Sequence, residues 1–172
     1  RPIFSMSASF QIQEPGYDHQ DPMPEGIAGP DGLMNQQELA QTVADAIPEP
    51  MRERVLAISP IEQRPVKPYN LLRPKAREPS REIWYRAMRP IDSDDASLHR
   101  YLLAYASDFH LLGTAMQPHA ISSWSPDMQV ASLDHSLWYH RPLRMDDWLL
   151  YAMDSPSASG SRGLSRGQIF NR

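Results

Sequence analysis

Apolar and polar residues change period several times along the chain, and each change predicts an element. Residues 2–11 (PIFSMSASFQ) set Ile3, Met6, Ala8 and Phe10 against Ser5, Ser7 and Ser9, with a slip at Phe4; alternation of period two predicts a strand. From Glu14 to Gly32 prolines and glycines break every period, denying the backbone helix and ladder hydrogen bonds, and predict a linker. Asn35 to Ile47 returns to helical spacing, with Asn35 as cap, Leu39, Val43, Ala46 and Ile47 on one face, and Pro48 and Pro50 as its end. Ile61 to Tyr69 reads as a strand that Pro65 and Pro68 confine to a sheet edge. Glu82 to Met88 alternates Ile83, Tyr85 and Ala87 with Trp84, Arg86 and Met88, a second strand.

The longest uninterrupted pattern runs from Asp94 to Met116 (DDASLHRYLLAYASDFHLLGTAM), without proline and with one late glycine. It predicts a single long helix capped by Ser93, with Asp94 and Asp95 in the first turn and Pro118 as the stop. Val130 to Tyr139, Trp148 to Met153 and Gly163 to Phe170 then predict three strands joined by turn-forming stretches such as SPSASGS. A central helix followed by antiparallel strands predicts an α+β domain whose sheet curls around that helix.

Composition refines this picture. Of 17 prolines, 12 lie between Pro15 and Pro90, so this region is extended connection around a helix rather than a packed core. At 172 residues the chain accommodates one domain and part of another. Arg1 precedes one strand pattern and Arg172 follows another, so both ends look cut; 172 residues alone are expected to be inactive and to associate through sheet edges. No stretch has the length of apolar sequence a membrane span needs. With 17 basic and 21 acidic residues there is no basic excess to attract nucleic acid. The absence of cysteine excludes disulfides, thiolate metal sites and a cysteine nucleophile, and with no signal-peptide pattern it points to a reducing, cytoplasmic setting.

Candidate chemistry centres on the long helix. On a helical wheel Tyr101, Ala104, Tyr105, Leu111, Leu112 and Ala115 flank Asp108, whereas His99, Arg100, Ser107 and His110 mark the wet face. An aspartate among apolar neighbours is expected to point inward, where it must be paired, protonated or set in a wet cavity. A structural aspartate hydrogen-bonded to a strand and a catalytic one fit this position equally. In Val130 to Tyr139, Ser132, Asp134, Ser136, Trp138 and His140 share one parity, which suits a cleft lining or an ordinary solvated face. The histidines have no metal-ligand spacing, so no metal is expected. Phosphate loops, dinucleotide fingerprints and GxSxG elbows are missing, which leaves hydrolysis by a water that a carboxylate and neutral partners hold.

The segments HRYLLAYASDFHLLGTAMQPH (His99 to His119), ASLDHSLWYHRP (Ala131 to Pro142) and DDWLLYAMDSPSASGSRGLSRGQIF (Asp146 to Phe170) resemble acyl-CoA thioesterase II, the TesB-type double hot-dog thioesterases. The resemblance extends to PIFSMSASFQ, the PDG linker and QRPV. It implies a hot-dog fold, two copies of which are fused in one chain, with residues 1–13 the last strand of an N-terminal half, 14–58 a linker with one helix, and 59–172 a C-terminal hot-dog domain lacking its final strand. It also implies hydrolysis of fatty acyl-CoA to free fatty acid and coenzyme A, without a cofactor, in a homo-oligomer. The family's aspartate and its threonine or serine carry over to Asp108 and Ser132. Its glutamine is expected beyond Arg172, since Gln117, Gln129 and Gln168 do not occupy its motif. Three rivals remain at this stage: a hot-dog acyl-binding module without turnover, a hydratase or dehydratase, which His110 on the wet face disfavours, and a proline-rich interaction protein.

Overall fold

The alternation in SREIWYRA becomes strand β2, which is covered on both faces. In the computed structural model, which describes residues 3–93 and 95–172, β1 (Ile61–Pro65), β2 (Ser80–Ala87), β3 (Leu149–Ser159) and β4 (Arg162–Asn171) form one antiparallel sheet in that order. Ile83 and Tyr85 of β2 point into a core with Ile61, Leu149, Tyr151 and Met153 of the sheet and Leu103 and Ala106 of helix α3 (Ala96–Ser107). Burying each such side chain stabilises the fold by about 1.5–3 kcal/mol. Trp84, on the opposite parity, is equally buried and donates its indole N–H to the Ala28 carbonyl at 2.8 Å. The linker therefore crosses the outer face of the sheet. Arg64 fastens it further, donating to the Pro30 carbonyl at 2.9 Å.

A curled antiparallel sheet with helices on its inner face is the hot-dog fold, and the α+β architecture agrees with the reading from the sequence. Several elements differ in detail. The stretch 35–47 contains α1 (Gln36–Gln41) and a 3-10 turn (Ala44–Ala46), with Asn35 and Glu38 forming a reciprocal capping box. Pro48 and Pro50 do not end helical structure but open α2 (Glu49–Leu56), because a first-turn proline loses no intrahelical hydrogen bond. β1 stops at Pro65, where the missing N–H interrupts the ladder, and Val66 adds one more bond to the Glu82 carbonyl at 3.0 Å.

The stretch SPSASGS is largely strand rather than turn. β3 runs through Pro156 because a register shift between Asp154 and Ser157 removes the demand for a ladder N–H there. The reversal is confined to Gly160 and Ser161, both with positive φ (54° and 60°) between the paired Ser159 and Arg162, as a two-residue hairpin of primed type requires.

Two predicted strands are missing. Residues 4–24 carry no regular secondary structure and the apolar side chains of Ile3, Phe4, Phe10 and Ile12 are exposed, because none of the four strands pairs with them; Arg1 and Pro2 lie outside the described residues. Val130 to Tyr139 is also unpaired. It lies along α3 instead, where the Tyr139 hydroxyl donates to the Arg100 carbonyl at 2.7 Å.

The predicted long helix is present and interrupted. Asp95, not Ser93, caps α3 by accepting from the Ser97 N–H at 2.8 Å, while the Ser93 hydroxyl accepts from Asp95 N–H; Asp94 lies outside the described residues. α3 ends at Ser107. Asp108 is its C-cap, His110 is left-handed (φ 68°), and α4 (Leu111–Met116) resumes, followed by a 3-10 turn (Gln117–His119) that absorbs Pro118. A left-handed non-glycine residue costs about 1–2 kcal/mol. His110 is tied by its ring, whose Nε2 lies 2.7 Å from Gln63 Oε1 on β1. The Tyr85 and Tyr151 hydroxyls donate to the Phe109 and Ser107 carbonyls at 3.4 and 2.7 Å, so the sheet holds the break from below.

Candidate active site

Asp108 closes α3 in right-handed conformation (φ −80°, ψ −15°) on the helix face that Tyr101 and Tyr105 already turn outward. Its side chain is 56 % exposed, as are much of Tyr101 and Tyr105 beside it, so the expected inward orientation is overturned. The wheel misplaced several residues: His99 and Ser107, assigned to water, are buried and His110 is half-buried, while Arg100 is exposed and Ala115 buried as expected. His99, Ser107 and His110 tolerate burial because each finds partners. His99 Nδ1 accepts from the Met145 N–H at 3.0 Å, which leaves Nε2 to donate to the Ser93 carbonyl at 3.3 Å. Ser107 donates to the Ala104 carbonyl at 2.8 Å. Burial and the nearby Arg81 charge push His110 down to about 4, so its ring is neutral.

Ser132 arrives from the unpaired segment and donates to Asp108 Oδ1 at 3.5 Å. The two residues singled out in the sequence thus meet across 24 positions. His135 joins them. Its Nε2 is 2.9 Å from Ser107 Oγ and its Nδ1 3.9 Å from Asp108 Oδ1, so both neighbours crowd one carboxylate oxygen and leave Oδ2 open. Asp134 and Ser136, from the polar parity, are exposed, and no hydrogen bond or ion pair joins either to Asp108. Beneath the pair, burial and then the Asp108 charge raise the Tyr151 phenol, which stays neutral.

Asp108 and Ser132 line a cleft of about 260 Å³ together with Arg81, His110 and the apolar Leu71, Leu112, Met116 and Ile121. The carboxylate and hydroxyl can hold a water, and the apolar wall suits an acyl chain. Arg81 escaped the reading of the sequence, yet it left a signal. It shares the helix-facing parity of β2 with Ile83 and Tyr85, a position where an arginine needs a reason. Among the described residues no group of three histidine, aspartate or glutamate side chains is arranged to hold a metal ion, and no helix is long and apolar enough to cross a membrane.

The curled sheet and the interrupted helix define a hot-dog protein, with the carboxylate–hydroxyl pair beside the helix break. The model of the acyl-CoA thioesterase family matches residues 56–172, and the chain belongs to that family. It is 37 % identical over 173 residues to acyl-CoA thioesterase 2 of Haemophilus influenzae, covering 99 % of this chain and 59 % of that protein. Against human acyl-coenzyme A thioesterase 8 the identity is 37 % over 182 residues, covering 100 % of this chain and 55 % of the relative. The crystal structure of an acyl-CoA thioesterase II from Mycobacterium marinum superposes with a TM-score of 0.68 at 36 % identity, over 94 % of this chain and 54 % of that one. The chain spans between half and three-fifths of the length of these relatives.

Proposed function

We propose that the protein hydrolyses fatty acyl-CoA to free fatty acid and coenzyme A, with Asp108 as general base and Ser132 as the hydroxyl that orients the attacking water. The observation that carries this reading is the meeting of Asp108 and Ser132 in a cleft with an apolar wall. Water bound at Oδ2 attacks the thioester carbon and passes a proton to Asp108. The carbonyl electrons move to oxygen, the tetrahedral intermediate collapses with cleavage of the C–S bond, and Asp108 returns the proton to the departing thiolate. The products are the carboxylic acid and free thiol. No covalent enzyme intermediate is required. The relatives named as acyl-CoA thioesterases support this choice of substrate.

The exposure of Ile3, Phe4, Phe10 and Ile12 and of Tyr101, Tyr105 and Trp138 supports a wider arrangement. In it, residues 1–13 pair with a further hot-dog half, 14–58 link the halves, and 59–172 form the C-terminal domain of a cytoplasmic homo-oligomer whose glutamine partner for the water lies outside these residues. Release of coenzyme A thiol from acyl-CoA, measured with a thiol-reactive dye on the full-length protein, tests the activity. Absence of turnover across short, medium and long acyl chains would sink the proposal.

A further inference from the structure

The proposed chemistry leaves one demand unmet. Attack on a thioester places negative charge on the carbonyl oxygen, and Asp108 and Ser132 serve the water rather than that oxygen. Among the residues lining the cleft Arg81 alone is positively charged, since His110 is neutral. Its guanidinium is held in place. Nε donates to Gln117 Oε1 at 2.8 Å, Nη2 donates to the Gly113 carbonyl at 3.2 Å, and the group lies 4.8 Å from the Tyr69 ring centroid. Gln117 is fixed in turn, its amide donating to the Glu78 and Ser80 carbonyls.

These contacts use two of the five N–H donors of an arginine. Among the described residues no carboxylate pairs with Arg81, and Nη1 has no acceptor. The guanidinium can lie against α4 because position 113 has no side chain: a Cβ there would sit 3.0 Å from Nη1 and 3.4 Å from Cζ and Nη2. Anchoring the end of α4 accounts for Nε and Nη2, but not for a cation at the cleft with spare donors and a glycine that makes room for it.

Building on the thioesterase reading, we infer that Arg81 binds the carbonyl oxygen of the acyl thioester through Nη1 and stabilises the oxyanion formed when water adds. The electrons displaced from the carbonyl bond rest on that oxygen beside the guanidinium and return when the C–S bond breaks; Arg81 neither gains nor loses a proton.

Arg81→Met in the full-length protein is expected to lower kcat at least a hundredfold, the range seen when one oxyanion donor is lost, with a smaller change in KM. Arg81→Lys keeps a charge but not the fork, and is expected to fall between the two. Binding separates this role from a structural one. In an Asp108→Asn background, which blocks turnover, Arg81→Met is expected to weaken an acyl-CoA thioester at least threefold while leaving an S-alkyl-CoA, which has no carbonyl oxygen, unchanged. Equal weakening of both ligands, or a folded Arg81→Met enzyme within threefold of wild-type kcat, would overturn the assignment. If Arg81→Met does not fold, the same comparison is made with Arg81→Lys. Wild-type protein that binds both ligands but hydrolyses no acyl-CoA would refute the thioesterase reading instead, and the ligand comparison would still judge Arg81.

Discussion

The two faces of α3 treat polar groups in opposite ways. Toward the sheet, His99 and Ser107 are buried and every polar contact is closed: to the Met145 N–H and the Ser93 carbonyl for one, to the Ala104 carbonyl and His135 for the other. Toward the cleft, Asp108 is exposed with one weak hydrogen bond, and Tyr101 and Tyr105 stand open beside it. The satisfied groups stabilise the fold because a buried donor or acceptor left alone costs about 1–3 kcal/mol. The exposed carboxylate contributes little to stability and retains unused lone pairs. Polarity alone therefore does not tell which side of this helix a residue faces; the partners available to it do.

Exchanging the carboxylate for its amide tests this division most severely. Asp108→Asn is expected to reduce turnover at least a hundredfold, about 2.7 kcal/mol in the barrier. Unfolding free energy should stay within about 0.5 kcal/mol of wild type, as for other exposed sites. Turnover of acyl-CoA and urea denaturation measure the two numbers. A large stability loss would place Asp108 with His99 and Ser107 as a structural group.

Tyr151→Phe probes the closed side. Its hydroxyl donates to the Ser107 carbonyl at 2.7 Å, and removing it leaves that carbonyl without this donor beneath the helix break, at about 2 kcal/mol. Thermal or urea unfolding checks the loss. Activity of the folded fraction is expected to fall less than in Asp108→Asn, because Tyr85 still holds the break through the Phe109 carbonyl. Smaller again is Ser132→Ala, expected to slow turnover about tenfold, or about 1.4 kcal/mol, since the hydroxyl is one of several hydrogen bonds to the water. A slower enzyme than Asp108→Asn would reverse the two roles.

How far these roles could be read from the chain depended on the kind of signal. Local periodicity located β2 and the helical stretch, and cap chemistry located the start of α1 at Asn35, because those signals act within a few residues. The same local reasoning failed at Val130 to Tyr139, whose alternation is real but which finds no ladder partner among the four strands. It failed also at the break after Asp108. The left-handed turn at His110 is held by Gln63, 47 positions away, and nothing in DFHLLG announces it. Within α3, before the break, the wheel put His99 and Ser107 on the wet side because it weighs polarity and cannot see the partners that satisfy them in the core. Asp108 was singled out both by its place among apolar neighbours on the wheel, whose premise of burial the structure overturns, and by motif resemblance, whereas Ser132 rested on the resemblance alone; their contact follows from the tertiary path of two segments rather than from either alone.

The outer face of the sheet supplies the mildest test, since its charged groups are closed in the same sense as the buried side of α3. Glu62 is buried and bridges Arg64 and Arg86 at 2.6 and 2.7 Å, and both guanidinium groups lie over the Trp148 ring at 5.1 and 4.3 Å. Burial raises the carboxyl, but the hydrogen bonds and charges of Arg86 and Arg64 outweigh it and hold the group below the ordinary glutamate value of 4.5. The unfolded chain therefore binds more protons than the folded one just below pH 4.5, and stability falls as pH falls. The contribution is fully present above that ordinary value and is lost as the pH drops through the lower folded one. Glu62→Gln keeps one acceptor and sets an amide donor against the other guanidinium, so it is expected to destabilise by about 1 kcal/mol at neutral pH. The difference from wild type should narrow as pH falls below 4.5, with turnover at neutral pH little changed because Glu62 is not among the residues lining the cleft. Denaturation curves at neutral and acidic pH decide it: a gap that stays constant across that range would show that Glu62 packs there without working as a charge.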